Sequence, residues 1–176
     1  MTFRGRVIFA LTMFMCLPLM AQRHRDPLNN QEIDQLRDSA LEGNDRLKLY
    51  VSFVRNRITT LEQMRADPKT TNRARQTHDM LEDFLAVYDE LNQNVDTYVS
   101  RKDDIRRALK LVIDADIEFQ SKLRALKDAA NTDAAEARQY EFVLGNAIDT
   151  VDSSAEDHRQ SVTEVEEYIK RKKKQK

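Results

Sequence analysis

Three histidines and a few adjacent carboxylates are the side chains of this sequence best suited to acid–base or metal chemistry. His78 precedes Glu82 by one helical turn, a spacing that can offer two ligands to one metal ion. No further His, Asp or Glu on that stretch completes a recognisable set, so the pair reads as an exposed ion pair. His24 lies between Arg23 and Arg25 in a segment expected to be flexible. His158 takes a core position beside Glu156 and Asp157 and is the candidate pH-sensitive residue. As a partly buried ring satisfied by a hydrogen bond, it predicts a weakening of the fold near about pH 6. The carboxylate pairs Glu82 and Asp83, Asp89 and Glu90, Asp103 and Asp104, and Glu166 and Glu167 are sequence neighbours. Successive helix residues point about 100° apart, so none is a prearranged acid/base couple. The chain contains no nucleophile elbow, glycine-rich phosphate cradle or Cys/His cluster. The expectation is therefore no catalytic residue, no metal site and no cofactor, in a protein that is not an enzyme.

The sharpest local feature is the basic end formed by Lys170, Arg171, Lys172, Lys173, Lys174 and Lys176. Cations at the end of a helix oppose the negative end of its macrodipole, which gives the run a structural role. As a contact site it suits an anionic surface, such as phospholipid headgroups or an acidic envelope polymer. Nucleic acid fits less well, because the rest of the chain would repel it. All 30 acidic residues, but only 19 of the 29 basic ones, lie between Asp26 and Ile169, a net charge of −11 behind an overall figure of −1. Self-association is a further option, with the tail of one copy on the acidic last helix of another. Two polar residues, Lys102 and Asp116, interrupt otherwise apolar seams and are candidates for fixing helix register.

These residues depend on elements that the hydrophobic pattern outlines. Residues 1–21 carry arginines at 4 and 6, an apolar run from Val7 to Met20 and a closing Ala21, the plan of an export signal. Cleavage is expected after Ala21. Leu19, a large residue near that site, keeps an uncleaved membrane anchor as the alternative. Cys16 is the only cysteine and leaves with the signal, so the exported chain would form no disulfide and no thiolate metal site. Residues 22–28 read as a flexible lead-in, 29–169 as one helical domain and 170–176 as a basic tail.

Glycine and proline occur three times each, too rarely for a sheet with tight turns. Asn29, with Glu32 behind it, predicts a capped short helix to Leu41 using Ile33, Leu36, Ala40 and Leu41. Leu47, Val51, Val54, Ile58 and Leu61 step by three and four, predicting a helix over 46–66 that ends at the Pro68 loop. From Leu81 to Leu126 the same stepping continues in one phase, with neither Gly nor Pro around Ser100 to Asp104. That favours one long helix over 72–130, about 85 Å in length. The alternative is a second helix capped by Ser100 and Asp103, which closes the chain into an up-down four-helix bundle. Asn131 to Asp133 breaks the pattern, and Leu144, Ile148, Val151, Ala155, His158, Val162, Val165 and Ile169 mark the last helix. Gly145 inside it would allow close approach of a neighbour.

The fold class is all-α, an elongated antiparallel bundle with coiled-coil-like heptad seams, made of three long helices and a short N-terminal one. The functional expectation is an exported scaffold or interaction protein, periplasmic or secreted, whose basic tail meets a protein partner or an anionic envelope surface. A periplasmic holdase is the alternative, although Tyr88, Tyr98 and Tyr140 fall at core positions and no open apolar cradle is evident. A metal-binding bundle using His78 or His158 is the third reading.

Overall fold

The computed structural model describes residues 26–38 and 42–175. The expected signal with Cys16, the flanking His24, Ala40 and Leu41 of the first stripe, and Lys176 lie outside the described residues. Of the described residues, 84 % are helical and none is in a strand, as the three- and four-residue stepping requires. The helices are α1 (Asn30–Asp38), α2 (Gly43–Ala66), α3 (Arg73–Ser100), α4 (Arg106–Ala130), α5 (Ala134–Ala137) and α6 (Glu141–Lys174). No described helix is long and apolar enough to cross a membrane.

Local chemistry sets most boundaries. At the start of α1, Asn29 Oδ1 accepts from the Glu32 N–H at 3.0 Å and Glu32 Oε2 accepts from the Asn29 N–H at 2.9 Å, a reciprocal capping box. Between α2 and α3, Pro68 cannot extend the helix, Asp67 Oδ1 accepts from the Lys69 N–H, and the Thr70 hydroxyl donates to the Met64 carbonyl.

The expectation of one helix over 72–130 is corrected: the chain reverses between α3 and α4. The Asp103 N–H bonds to the Tyr98 carbonyl at 3.0 Å and the Lys102 N–H to the Val99 carbonyl at 2.9 Å, the two bonds of a Schellman motif. Lys102, at φ 60°, holds the left-handed position that glycine usually fills, so no glycine announces the stop. Nor does Ser100 cap the next helix. Asn44, at the start of α2, accepts from the Ala108 N–H at 3.1 Å and donates to the Asp104 carbonyl at 2.8 Å. Its side chain therefore caps α4 from another helix. Lys102 is accordingly exposed rather than a core interruption.

With that reversal, α2, α3, α4 and α6 form a four-helix bundle. α2 packs beside α3 and α4, and α6 packs beside the same two. α3 and α4 face each other across the diagonal, where Phe84 and Tyr88 meet the Phe119 ring edge-on at 5.6 and 6.1 Å. The residues of the apolar seams fill the interior, with Leu47, Leu81, Leu91, Val95, Leu109, Val112 and Leu123 all inaccessible to solvent. Tyr88, Tyr98 and Tyr140 are buried as expected.

Among the described residues, the glycine at a close approach within the chain is Gly43 rather than Gly145. A Cβ on Gly43 would lie 3.0 Å from Tyr98 Cδ1 and 3.1 Å from Ile105 Cγ2, whereas one on Gly145 would meet nothing within 4 Å. α1 lies against α2 through the half-covered Arg57, which forks onto Glu32 at 2.6 and 2.7 Å. The last helix starts at Glu141, after the single turn of α5, and continues through Lys174, so Lys170 to Lys174 of the basic run are helical.

Candidate functional site

Asp116, the polar interruption of α4, sits deep in the bundle between the buried Ala115 and Phe119. Its Oδ1 accepts from the Tyr88 hydroxyl of α3 at 2.8 Å, and its Oδ2 lies 2.8 Å from His158 Nδ1 of α6. The three residues are 0, 1 and 3 % exposed, so one carboxylate ties three helices together. Tyr88 stacks on Phe84 at 5.8 Å and meets Phe119 edge-on, which surrounds the polar contact with aromatic surface. Burial, reinforced by the neighbouring Asp116 charge, pushes the Tyr88 phenol far above its ordinary range, so it stays protonated and donates to Asp116. The His158 ring thus lies directly against a buried carboxylate. This partner comes from α4 rather than from the adjacent Glu156 or Asp157. The register-fixing role expected of Asp116 has a clear geometric basis, because sliding any one of the three helices breaks a bond.

Next to this cluster, Asn92 Nδ2 donates to Ser154 Oγ at 2.9 Å, linking α3 to α6 one turn before His158. With so little exposure, Tyr88, Asp116 and His158 present no face to a substrate. His78 lies ten residues earlier on α3, about 15 Å away along the axis. Its Nδ1 is 3.9 Å from Glu82, the spacing expected of that pair, and 3.5 Å from Asp79. The neighbouring residue supplies a third ligand atom that the one-turn pattern passed over, and the three atoms lie within 4.8 Å of one another. The two carboxylates are exposed and the ring is half-buried. The two histidines thus belong to separate environments and do not share a site.

The basic end is larger than its sequence run. The α3–α4 corner brings Arg101, Lys102, Arg106, Arg107 and Lys110 to the same pole as Lys170 to Lys174. Lys102 Nζ lies 5.2 Å from the centre of the Tyr168 ring and Lys172 Nζ 6.0 Å from it, so the ring holds a cation from each element. Part of this charge is neutralised. Arg106 pairs with Asp104 at 2.7 Å and Arg171 with Glu167 at 2.8 Å. The bond to Arg106 holds the Asp104 carboxyl below its ordinary range. Among the described residues, Arg107, Lys110, Lys170, Lys173 and Lys174 are exposed and take part in no ion pair. Sequence spacing identified the C-terminal half of this surface. The other half depended on the chain reversal.

The opposite pole is held by Glu136, which accepts from Arg65 at 2.9 Å and Arg73 at 2.8 Å. Asp133 Oδ1 caps the Glu136 N–H at 3.0 Å. Instead of returning to cap Asp133, the Glu136 side chain fastens α5 to α2 and α3. The Arg73 bond, aided by Arg65, holds its carboxyl below the ordinary value.

Comparison with protein-family models, curated proteins and solved structures finds no match to this chain.

Proposed function

We propose that this is an exported, non-enzymatic helical scaffold whose basic pole binds an anionic surface of the cell envelope. The observation that carries the reading is the meeting of two basic segments, far apart in sequence, around Tyr168 at one end of an otherwise acidic bundle. A cluster of cations on a rigid corner attracts a polyanion or an anionic membrane, while the acidic flanks resist lying flat on it. The buried polar triad supports a structural rather than a chemical role, since it joins helices and offers no open face.

Each Lys or Arg near an anionic membrane contributes about 1 kcal/mol, so replacing Lys172, Lys173 and Lys174 with glutamine should weaken binding by roughly 100-fold. Co-sedimentation with phosphatidylglycerol vesicles, against phosphatidylcholine vesicles, tests this. Binding should also fall as salt is raised, because screening shortens the reach of these charges. Equal affinity for both vesicle types would remove the anionic-surface reading. Turnover of a small molecule that is lost on a point substitution would remove the non-enzymatic one.

A further inference from the structure

Phe142 is out of keeping with the well-covered core, since it stands 90 % exposed in the first turn of α6. It borders a groove of about 640 Å³ formed by the end of α4, by α5 and by the first turns of α6. Small and apolar residues line it, among them Ala130, Ala134, Ala137 and Gly145. Gly145 lies one turn beyond Phe142 on the same stripe, and no atom comes within 4 Å of where its Cβ would be. Glycine weakens a helix interior, and no contact among the described residues calls for one here. It leaves space on an outer face, where a second helix axis could approach closely.

The charges around the groove indicate what fits it. Lys127 and Arg138 stand on its rim with Glu141 and Asp149. All four are exposed, and among the described residues none takes part in an ion pair, although the nearby Arg124 does pair with Asp152 at 2.8 Å. Two cations and two anions around one exposed ring form a self-complementary patch, because a two-fold axis turns the surface onto itself. We propose that this groove docks a second copy of the same chain. The two α6 helices cross antiparallel, Phe142 of each chain lies over Gly145 and in the groove of the other, and Lys127 and Arg138 of one face Glu141 and Asp149 of its mate. This contact differs from a tail lying on the acidic helix. It also lies about 39 Å along α6 from Tyr168, so it stands or falls separately from the anionic-surface reading.

Sedimentation equilibrium of the purified chain tests the proposal. A reversible dimer is expected, weakened at least tenfold by Phe142→Ser and by Gly145→Leu. Neither change touches the core, and circular dichroism should show full helix content in both variants, with Gly145→Leu melting no lower than the parent. Joint reversal of Glu141 and Asp149 to lysine should give a monomer, and mixing it with the Lys127→Glu, Arg138→Glu variant should restore a dimer of the two. A chain that stays monomeric to about 500 μM, where even a Kd near 100 μM would fill most sites, overturns the proposal. So does a dimer that both Phe142→Ser and Gly145→Leu leave intact, or a reversal pair that fails to restore assembly.

Discussion

Replacing Asp116 with leucine should destabilise the bundle by about 3–5 kcal/mol, although the new side chain is more apolar and similar in size. The magnitude follows from the two buried groups left without an acceptor. Tyr88 Oη and His158 Nδ1 each lose a 2.8 Å bond at positions 0 and 3 % exposed. An unsatisfied buried donor costs about 1–3 kcal/mol, and the two together reach the quoted range. Tyr88→Phe removes one donor and keeps the other contact, so about 1.5–3 kcal/mol is expected. The combination Tyr88→Phe, Asp116→Leu no longer strands a phenol, and its cost should fall below the sum of the singles by about 1–2 kcal/mol. Urea unfolding followed by far-ultraviolet circular dichroism measures all three. For a chain of this size, roughly 2–4 °C per kcal/mol also converts the Asp116→Leu loss into a fall in Tm of roughly 6–20 °C. Single changes that add without coupling, or an Asp116→Leu variant within about 1 kcal/mol of the parent, would refute the view that this carboxylate joins three helices.

The remaining predictions concern the two ends of the bundle. Lys102→Gly should stabilise by about 1 kcal/mol relative to Lys102→Ala, because both lose the contact with Tyr168 but only glycine relieves the left-handed backbone at φ 60°. Thermal melts of the two variants compare them directly, and equal melting temperatures would contradict the strain argument. Gly43→Ala should cost about 1–3 kcal/mol, since the new methyl would lie 3.0 Å from the Tyr98 ring in a packed corner; a chemical denaturation midpoint at or above that of the parent would show that the corner yields. Glu136 has a folded-state carboxyl held below its ordinary value by Arg73 and Arg65, so its contribution is present above about pH 4.5 and lost as pH falls through the lowered value. Amide exchange in α5 should therefore speed up below about pH 4.5, and Glu136→Gln should remove that dependence on acid.

The seams of the bundle were legible because burial repeats every three or four residues whatever the chain direction. Leu81, Phe84, Tyr88, Leu91 and Val95, then Ile105, Leu109 and Val112, are buried as the pattern requires. The same fact hid the reversal. Hydrophobic phase reports which face of a helix meets the core, and α3 and α4 meet one core from opposite corners. A stop at Lys102 carries no signature, since lysine rarely takes the left-handed position and the cap on α4 comes from Asn44, some sixty residues earlier. The triad was half legible. Asp116 and His158 stood out as polar residues in apolar positions, but their pairing is a long-range contact between helices that no local spacing encodes. Gly145 drew attention as a platform for a neighbour, yet within the described bundle the close approach is made at Gly43.

The backbone turn at Lys102 also decides where charge accumulates. In a single rod over 72–130, Arg101, Lys102, Arg106, Arg107 and Lys110 would sit mid-length, dispersed among carboxylates such as Asp96, Asp103 and Asp114. Folding back after Ser100 moves these five residues to a corner, and the antiparallel course of α6 against α4 then brings Lys170 to Lys174 to the same end. The cation nearest the turn, Lys102, meets Tyr168 of α6 at 5.2 Å, so the residue that permits the reversal also contacts the second basic segment. Local backbone geometry thereby converts scattered basic residues into a pole. A chain forced to continue as one helix would keep its composition and its net charge but lose that concentration of field. This is why the anionic-surface reading depends on the corner as well as on the C-terminal run. On that reading, replacing Arg107 and Lys110 with glutamine should lower vesicle affinity roughly tenfold or more, at about 1 kcal/mol for each charge removed. An unchanged affinity in the co-sedimentation assay would confine the contact to the end of α6.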